Sequence, residues 1–120
     1  MRVRALRGAV TADEDTKDEI ISSTTELLEE MLDRNDVATD DVVFIIFTST
    51  GDLTAEFPAA AARKIGLSHI PVICARELEI GGSLPRTVRV LMVFNTDKAR
   101  EALRHVYLKG ARQLRMDLPE

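Results

Sequence analysis

The sequence predicts an α/β (α+β) fold: one mixed β-sheet with helices on one face. Three observations predict it. Two apolar runs of strand length, Val42-Val43-Phe44-Ile45-Ile46-Phe47 and Thr87-Val88-Arg89-Val90-Leu91-Met92-Val93-Phe94, are rich in β-branched and aromatic residues. A long stretch from Ile20 to about residue 34 carries apolar residues at helical spacing instead. The resulting order, strand, helix, strand, helix, strand, strand, suits a mixed sheet whose helices pack together on one side.

The first strand is Arg2-Val3-Arg4-Ala5-Leu6-Arg7-Gly8-Ala9-Val10. Alternation puts Arg7 on a face with Val3, Ala5 and Ala9, and puts Arg2 and Arg4 with Leu6 and Val10. Arg7 therefore lies on the more apolar face, and Gly8 leaves room opposite it for another backbone. Thr11-Ala12-Asp13-Glu14 fits a capping box, after which Ile20, Ile21, Thr24, Leu27, Leu28, Met31 and Leu32 predict an amphipathic helix to about residue 34. Its acidic first turn complements the helix dipole, so that charge run needs no catalytic explanation.

The run 42–47 reads as a central strand buried on both faces. The loop 48–54 leads towards a helix but lacks the lysine and glycine spacing of a phosphate loop. Pro58, the alanines at 59–62 and Gly66 mark the start and end of a short second helix carrying Arg63 and Lys64. Val72-Ile73-Cys74-Ala75 is a short strand, and Gly81-Gly82-Ser83 a flexible connection to the strand at 87–94. Residues 97–103 read as a short helix and 104–107 as a return to the sheet edge. Residues 112–120 form a tail that stays mobile until something orders it.

This layout leaves apolar surface without cover. Both long strands are apolar on both faces, and two helices shield one side of one sheet. The second side is expected to meet another subunit in a closed homo-oligomer, where clefts form between chains.

Composition narrows the function. The 120 residues make one domain, 1–120, and a fold of that size buries roughly two-thirds of its unfolded surface. Net charge is −4 with one tyrosine and no tryptophan, which argues against a nucleic-acid surface. Cys74 is the only cysteine, so no intramolecular disulfide forms and a reducing compartment fits. Arg2, Arg4 and Arg7 interrupt any signal-like segment, and no run approaches a membrane span. A cytoplasmic protein is the expectation. His69 and His105 have no partner at ligand spacing, so they read as surface or edge histidines and no metal is expected.

Arg89 is the informative exception. A guanidinium does not lose its proton to enter a core, so a cation in this apolar run needs an anionic partner or a route to water. Three possibilities stay open: a structural carboxylate, a ligand from solution, or a head that snorkels past the sheet edge. In an acidic chain, arginines on apolar faces suggest a local pocket for a small anion.

The residues resemble a known family. Arg7-Gly8-Ala9, Phe57-Pro58-Ala59 with Arg63, Cys74 with Glu77, Arg89-Val90, and Arg104-His105-Val106-Tyr107-Leu108, in this order and spacing, resemble the monofunctional trimeric α/β-class chorismate mutases. The resemblance spans nearly the whole chain. It implies a pseudo-α/β-barrel homotrimer with an active site at each subunit interface. It also implies cofactor-free conversion of chorismate to prephenate, an isomerase step of phenylalanine and tyrosine biosynthesis.

That reaction is pericyclic: an ether C–O bond breaks as a C–C bond forms, and no proton has to move. It asks for a site that holds a compact conformer and stabilises developing charge, with no nucleophile or general base. The resemblance places Arg89 beside the ether oxygen and Arg7 on a substrate carboxylate. It places Tyr107 as donor to a carboxylate, and Glu77 and Cys74 on the ring hydroxyl. Phe57 and Ala59 would add apolar wall from the neighbouring chain, with Arg63 and Arg115 guiding the dianion or closing the tail. The implied site also takes in Ile73, which stands where relatives carry threonine, and Ala60 stands where they often carry lysine; both departures bear on peripheral steering. Two other functions fit a similar scaffold: a trimeric reactive-intermediate deaminase, and a non-enzymatic sensor of a small carboxylate.

Overall fold

The longest ladder of the molecule joins β1 (Arg2–Thr11) to β4 (Thr87–Thr96), antiparallel from Arg2 opposite Thr96 to Thr11 opposite Thr87. The structure, a computed structural model, describes residues 1–114. On the far side of β4 lies β2 (Val42–Ser49), also antiparallel, with a bulge between Val42 and Phe44. Parallel edge strands close each side: β3 (Val72–Arg76) against β2, and β5 (Val106–Leu108) against β1. The five-stranded order is β3-β2-β4-β1-β5, so the mixed sheet expected from the sequence is present.

Helix α1 (Lys17–Arg34) and the short α2 (Ala60–Lys64) pack on one face. The core between them and the sheet holds Leu6 and Val10 of β1, Ile45 and Phe47 of β2, and Val88, Val90, Met92 and Phe94 of β4. Each large side chain there is worth about 1.5–3 kcal/mol of burial. Gly8 belongs to this face as well. A Cβ at Gly8 would lie 2.6 Å from Met31 Sδ and 3.1 Å from Leu27 Cδ1, so the room is used by helix side chains and not by a second backbone.

The expected capping box at 11–14 is not used, because Thr11 still pairs with Thr87 in the ladder. The helix starts at Lys17, where the Thr16 hydroxyl accepts the Glu19 N–H at 3.2 Å. The Glu19 carboxylate reaches further back and accepts the Asp13 N–H at 2.9 Å. That backbone donor, helped by Ser23 and Lys109 and opposed by desolvation, holds the Glu19 carboxyl below its ordinary range. Asp15 in the same connection clasps the loop before α2, accepting the Thr54 hydroxyl at 2.8 Å, the Thr54 N–H at 2.9 Å and the Ala55 N–H at 3.0 Å. The Thr54 donors, hydroxyl first, hold its carboxyl low.

Three further expectations change. Residues 97–103 contain only a 3-10 turn at Arg100–Ala102. The return to the edge begins later than expected, with Val106, and a second 3-10 turn, Lys109–Leu114, takes in the described part of the tail. Leu114 packs there against Ala9, Tyr107 and Ala111.

The largest change concerns the faces. Neither long strand is covered on both sides within the chain. Phe44, Ile46, Leu91 and Val93 point away from the helices and are half-buried, while Val3 and Ile73 are 59% and 62% exposed. Arg7 and Arg89 stand on this open face, so the Val3, Ala5 and Arg7 side of β1 is the uncovered one, and Leu6, Gly8 and Val10 form the buried side. Among the described residues no helix is long and apolar enough to cross a membrane.

Candidate active site

Strand register alone assembles the site. Ala75, Thr48, Arg89, Ala9 and Tyr107 stand level across the open face from β3 to β5. One step along, Ile73, Ile46, Leu91 and Arg7 form the next level. Arg7 and Arg89 are thus diagonal neighbours on adjacent strands, within reach of one small ligand. The cleft between them is lined by Arg7, Ile46, Thr48, Arg89, Leu91 and Tyr107, with backbone from Gly8 and Val90.

Arg89 does not snorkel past the sheet edge. Its Nε lies 3.5 Å from Glu77 Oε2, and its side chain keeps enough exposure to meet a ligand. Glu77 is brought over from the end of β3, where its N–H donates to the Ser49 carbonyl at 2.9 Å. The Thr48 hydroxyl donates to the same Oε2, which holds the carboxylate beside Arg89. Arg76 pairs with Glu79 at 3.6 Å, which leaves Glu77 to Arg89. The partner of Arg89 is therefore a structural carboxylate, which lines the adjoining hollow with Thr50, Asp52 and Glu79.

Tyr107 is 3% exposed, and its hydroxyl has no hydrogen-bond partner among the described residues. A buried hydroxyl in that state costs about 1–3 kcal/mol, which an incoming acceptor would recover. Two guanidinium groups in an apolar cleft, with the unpartnered Tyr107 hydroxyl buried at its wall, make a site for an anion, and the Glu77 carboxylate beside Arg89 is an acceptor for a neutral donor.

The remaining expected residues lie elsewhere. Cys74 pairs in register with the core residue Phe47, so it points to the helix side of β3. There it lines a separate groove with Phe57, Pro58 and Leu53. Phe57 is 69% exposed, whereas Ala59 is buried in its own chain's core. Ile73 stands on the open face near the cleft. Arg63 is exposed on α2, outside the linings of both hollows. Arg115 lies outside the described residues.

Sequence reasoning missed Thr48, Ile46 and Leu91 as site members. Leu91 had a signal, being two residues from Arg89 on the same strand face, and Thr48 is the first hydroxyl after the apolar run. It also read His105 as a surface or edge residue, whereas its side chain is 8% exposed. His69 is the exposed one, 3.9 Å from Asp40. Among the described residues no group of His, Cys, Asp and Glu is arranged to hold a metal ion.

Comparison with known proteins shows the family. The model of the family "chorismate mutase type I" matches residues 3–118. The chain is 49% identical over 117 residues to chorismate mutase AroH of Thermus thermophilus, covering 97% of this chain and 96% of the relative. It is 40% identical over 119 residues to chorismate mutase AroH of Bacillus subtilis, covering 98% and 94%. A solved chorismate mutase from Clostridium thermocellum superposes with a TM-score of 0.90 at 45% identity, over 92% of this chain and 98% of that one. The chain belongs to the chorismate mutase type I family, and the isomerase reading stands over the deaminase and sensor ones.

Proposed function

We propose that this chorismate mutase rearranges chorismate to prephenate in the cleft of Arg7, Arg89 and Tyr107, and that Arg89 is the electrostatic catalyst. The observation that carries the reading is the placement of both arginines and the Tyr107 hydroxyl around one apolar cleft. Chorismate is a dianion with a ring hydroxyl. Arg7 and Tyr107 hold carboxylate oxygens, and Glu77 accepts from the hydroxyl. Arg89 faces the ether oxygen, where its attraction grows as negative charge builds in the transition state. Glu77 also holds the Arg89 head in place before substrate arrives. Because no proton moves in the rearrangement, conformer selection and a fixed cation suffice, without a cofactor.

The same reading includes a homotrimer with its sites at subunit interfaces. Two observations support it: the uncovered apolar face, and β3 as an edge strand that carries exposed Ile73 and has exposed Phe57 beside it. Phe57 and Cys74 border a groove on the opposite side of β3 from the arginines, so they complete the cleft of a neighbouring chain. Arg63 steers the dianion from the exposed side of α2. The cytoplasm, where small metabolites and reduced thiols occur together, is the compartment that suits the lone Cys74.

Purified protein without additives should consume chorismate, followed by loss of its diene absorbance, with saturable kinetics and prephenate as product. No turnover would sink the reading. Sedimentation should give a trimer, and a stable active monomer would remove the shared-site part alone.

A further inference from the structure

His105 stands 98 residues from Arg7 in sequence, yet its Nδ1 accepts the Arg7 N–H at 2.9 Å. An imidazole that accepts at Nδ1 is unprotonated on that nitrogen. The bond falls where strand pairing stops, since the parallel β1 to β5 ladder begins with Gly8 opposite Val106. The ring thus replaces a strand carbonyl for the residue just outside the ladder. It fixes the main chain that carries the Arg7 side chain.

Arg7 borders two hollows. One is the cleft with Arg89 and Tyr107, and the other is an apolar hollow lined by Leu91, Val93 and Leu103 together with Arg4, Arg100 and His105. Which hollow receives the guanidinium depends on the backbone direction at Arg7 and on what fills the second hollow. His105 governs both. We propose that His105 is a positioning residue for this reaction: its imidazole anchors the Arg7 N–H, walls the second hollow and keeps the guanidinium facing the substrate carboxylate. The proposal rests on the reading of Arg7 as a carboxylate-binding group.

Steady-state kinetics with chorismate test it. His105→Leu keeps bulk but removes the acceptor, and should raise KM about fivefold to tenfold, the scale of one lost hydrogen bond, with kcat changed less than about twofold. His105→Asn sets an amide oxygen near the position of Nδ1 and should restore most of the loss. His105→Gln carries its oxygen further out and should behave like His105→Leu. In an Arg7→Ala background, His105→Leu should add almost nothing to KM, because the group it positions is gone. An unchanged KM in His105→Leu, or the same rise with and without Arg7, overturns the proposal. If His105→Leu fails to fold, the Asn and Gln variants decide, and equal KM values for those two overturn it. Failure of the wild-type protein to turn over chorismate would strike the functional reading instead.

Discussion

On the helix side of the sheet, Leu6, Phe47, Met92 and Phe94 are fully buried, while on the opposite side Val3 and Ile73 remain more than half exposed. Both faces are built from the same strands and, along β4, from similar apolar residues. Hydrophobicity therefore does not tell them apart. The place of the cations does: Arg7 and Arg89 stand mid-strand on the open side, where a cation keeps access to water and to a ligand, whereas Arg2 and Arg4 share the helix side only at the start of β1, before the core residue Leu6. The covered face holds the chain together, and the open face is free to hold something else.

Adjacent residues of β4 offer the harshest way to break this division. Met92→Asp puts an unpaired charge into the covered core and should unfold the chain, at a loss of several kcal/mol. Val93→Asp, one residue on, should leave a folded chain by circular dichroism that sediments as a monomer. Unfolding by both variants would mean that the open face stabilises the single chain as much as the covered one does.

Next in size is Arg89→citrulline, which keeps shape and hydrogen bonding but removes the charge. It should lower kcat at least about a hundredfold while the melting temperature stays within a few degrees. If kcat held and KM alone rose, Arg89 would be a binding group and not the catalyst. At Glu77 the contrast is smaller: Glu77→Gln should keep most activity and Glu77→Ala should lose about tenfold, since only the former can still accept from a hydroxyl. Equal losses would argue that charge, and not hydrogen bonding, is the role of Glu77.

The smallest effect belongs to acid. Asp15 and Glu19 have folded-state pKa values below their ordinary 3.8 and 4.5, so each contributes stability that is present above those ordinary values. That contribution fades as pH falls through them and is gone below the lowered values. Urea midpoints should therefore drop on acidification, and Asp15→Asn should flatten the slope. Both groups serve the connections around the helices, so the acid loss tests the covered side of the molecule.

Much of this was legible in the chain, and the exceptions share a cause. The order of elements along the chain and the end of α1 near residue 34 follow from periodicity, and three residues that the family resemblance named, Arg7, Arg89 and Tyr107, line one cleft. Which face a residue takes was harder. Alternation divides β1 into two sets without saying which set the helices cover, and the set with Arg7 is the open one. Cys74 lies apart from the arginines of its own chain for a related reason, because the facing of an edge strand is set by its register with β2. The helix start moved from 11–14 to Lys17 because ladder pairing outcompeted a local cap at Thr11. His105 and Thr48 carry their roles through contacts 98 and 29 residues away, which no local pattern encodes.

The resting contact between Glu77 and Arg89 bears on how the cycle ends. The rearrangement keeps both carboxylates, so product leaves with the same charge that substrate brought, and a cleft that gripped one without restraint would retain the other. A carboxylate 3.5 Å from Arg89 Nε partly neutralises that cation, which loosens the hold on both. In the cycle proposed above, Glu77 is the anion already in place beside the guanidinium when product departs, so the emptied cleft resets itself without waiting for an ion from solution.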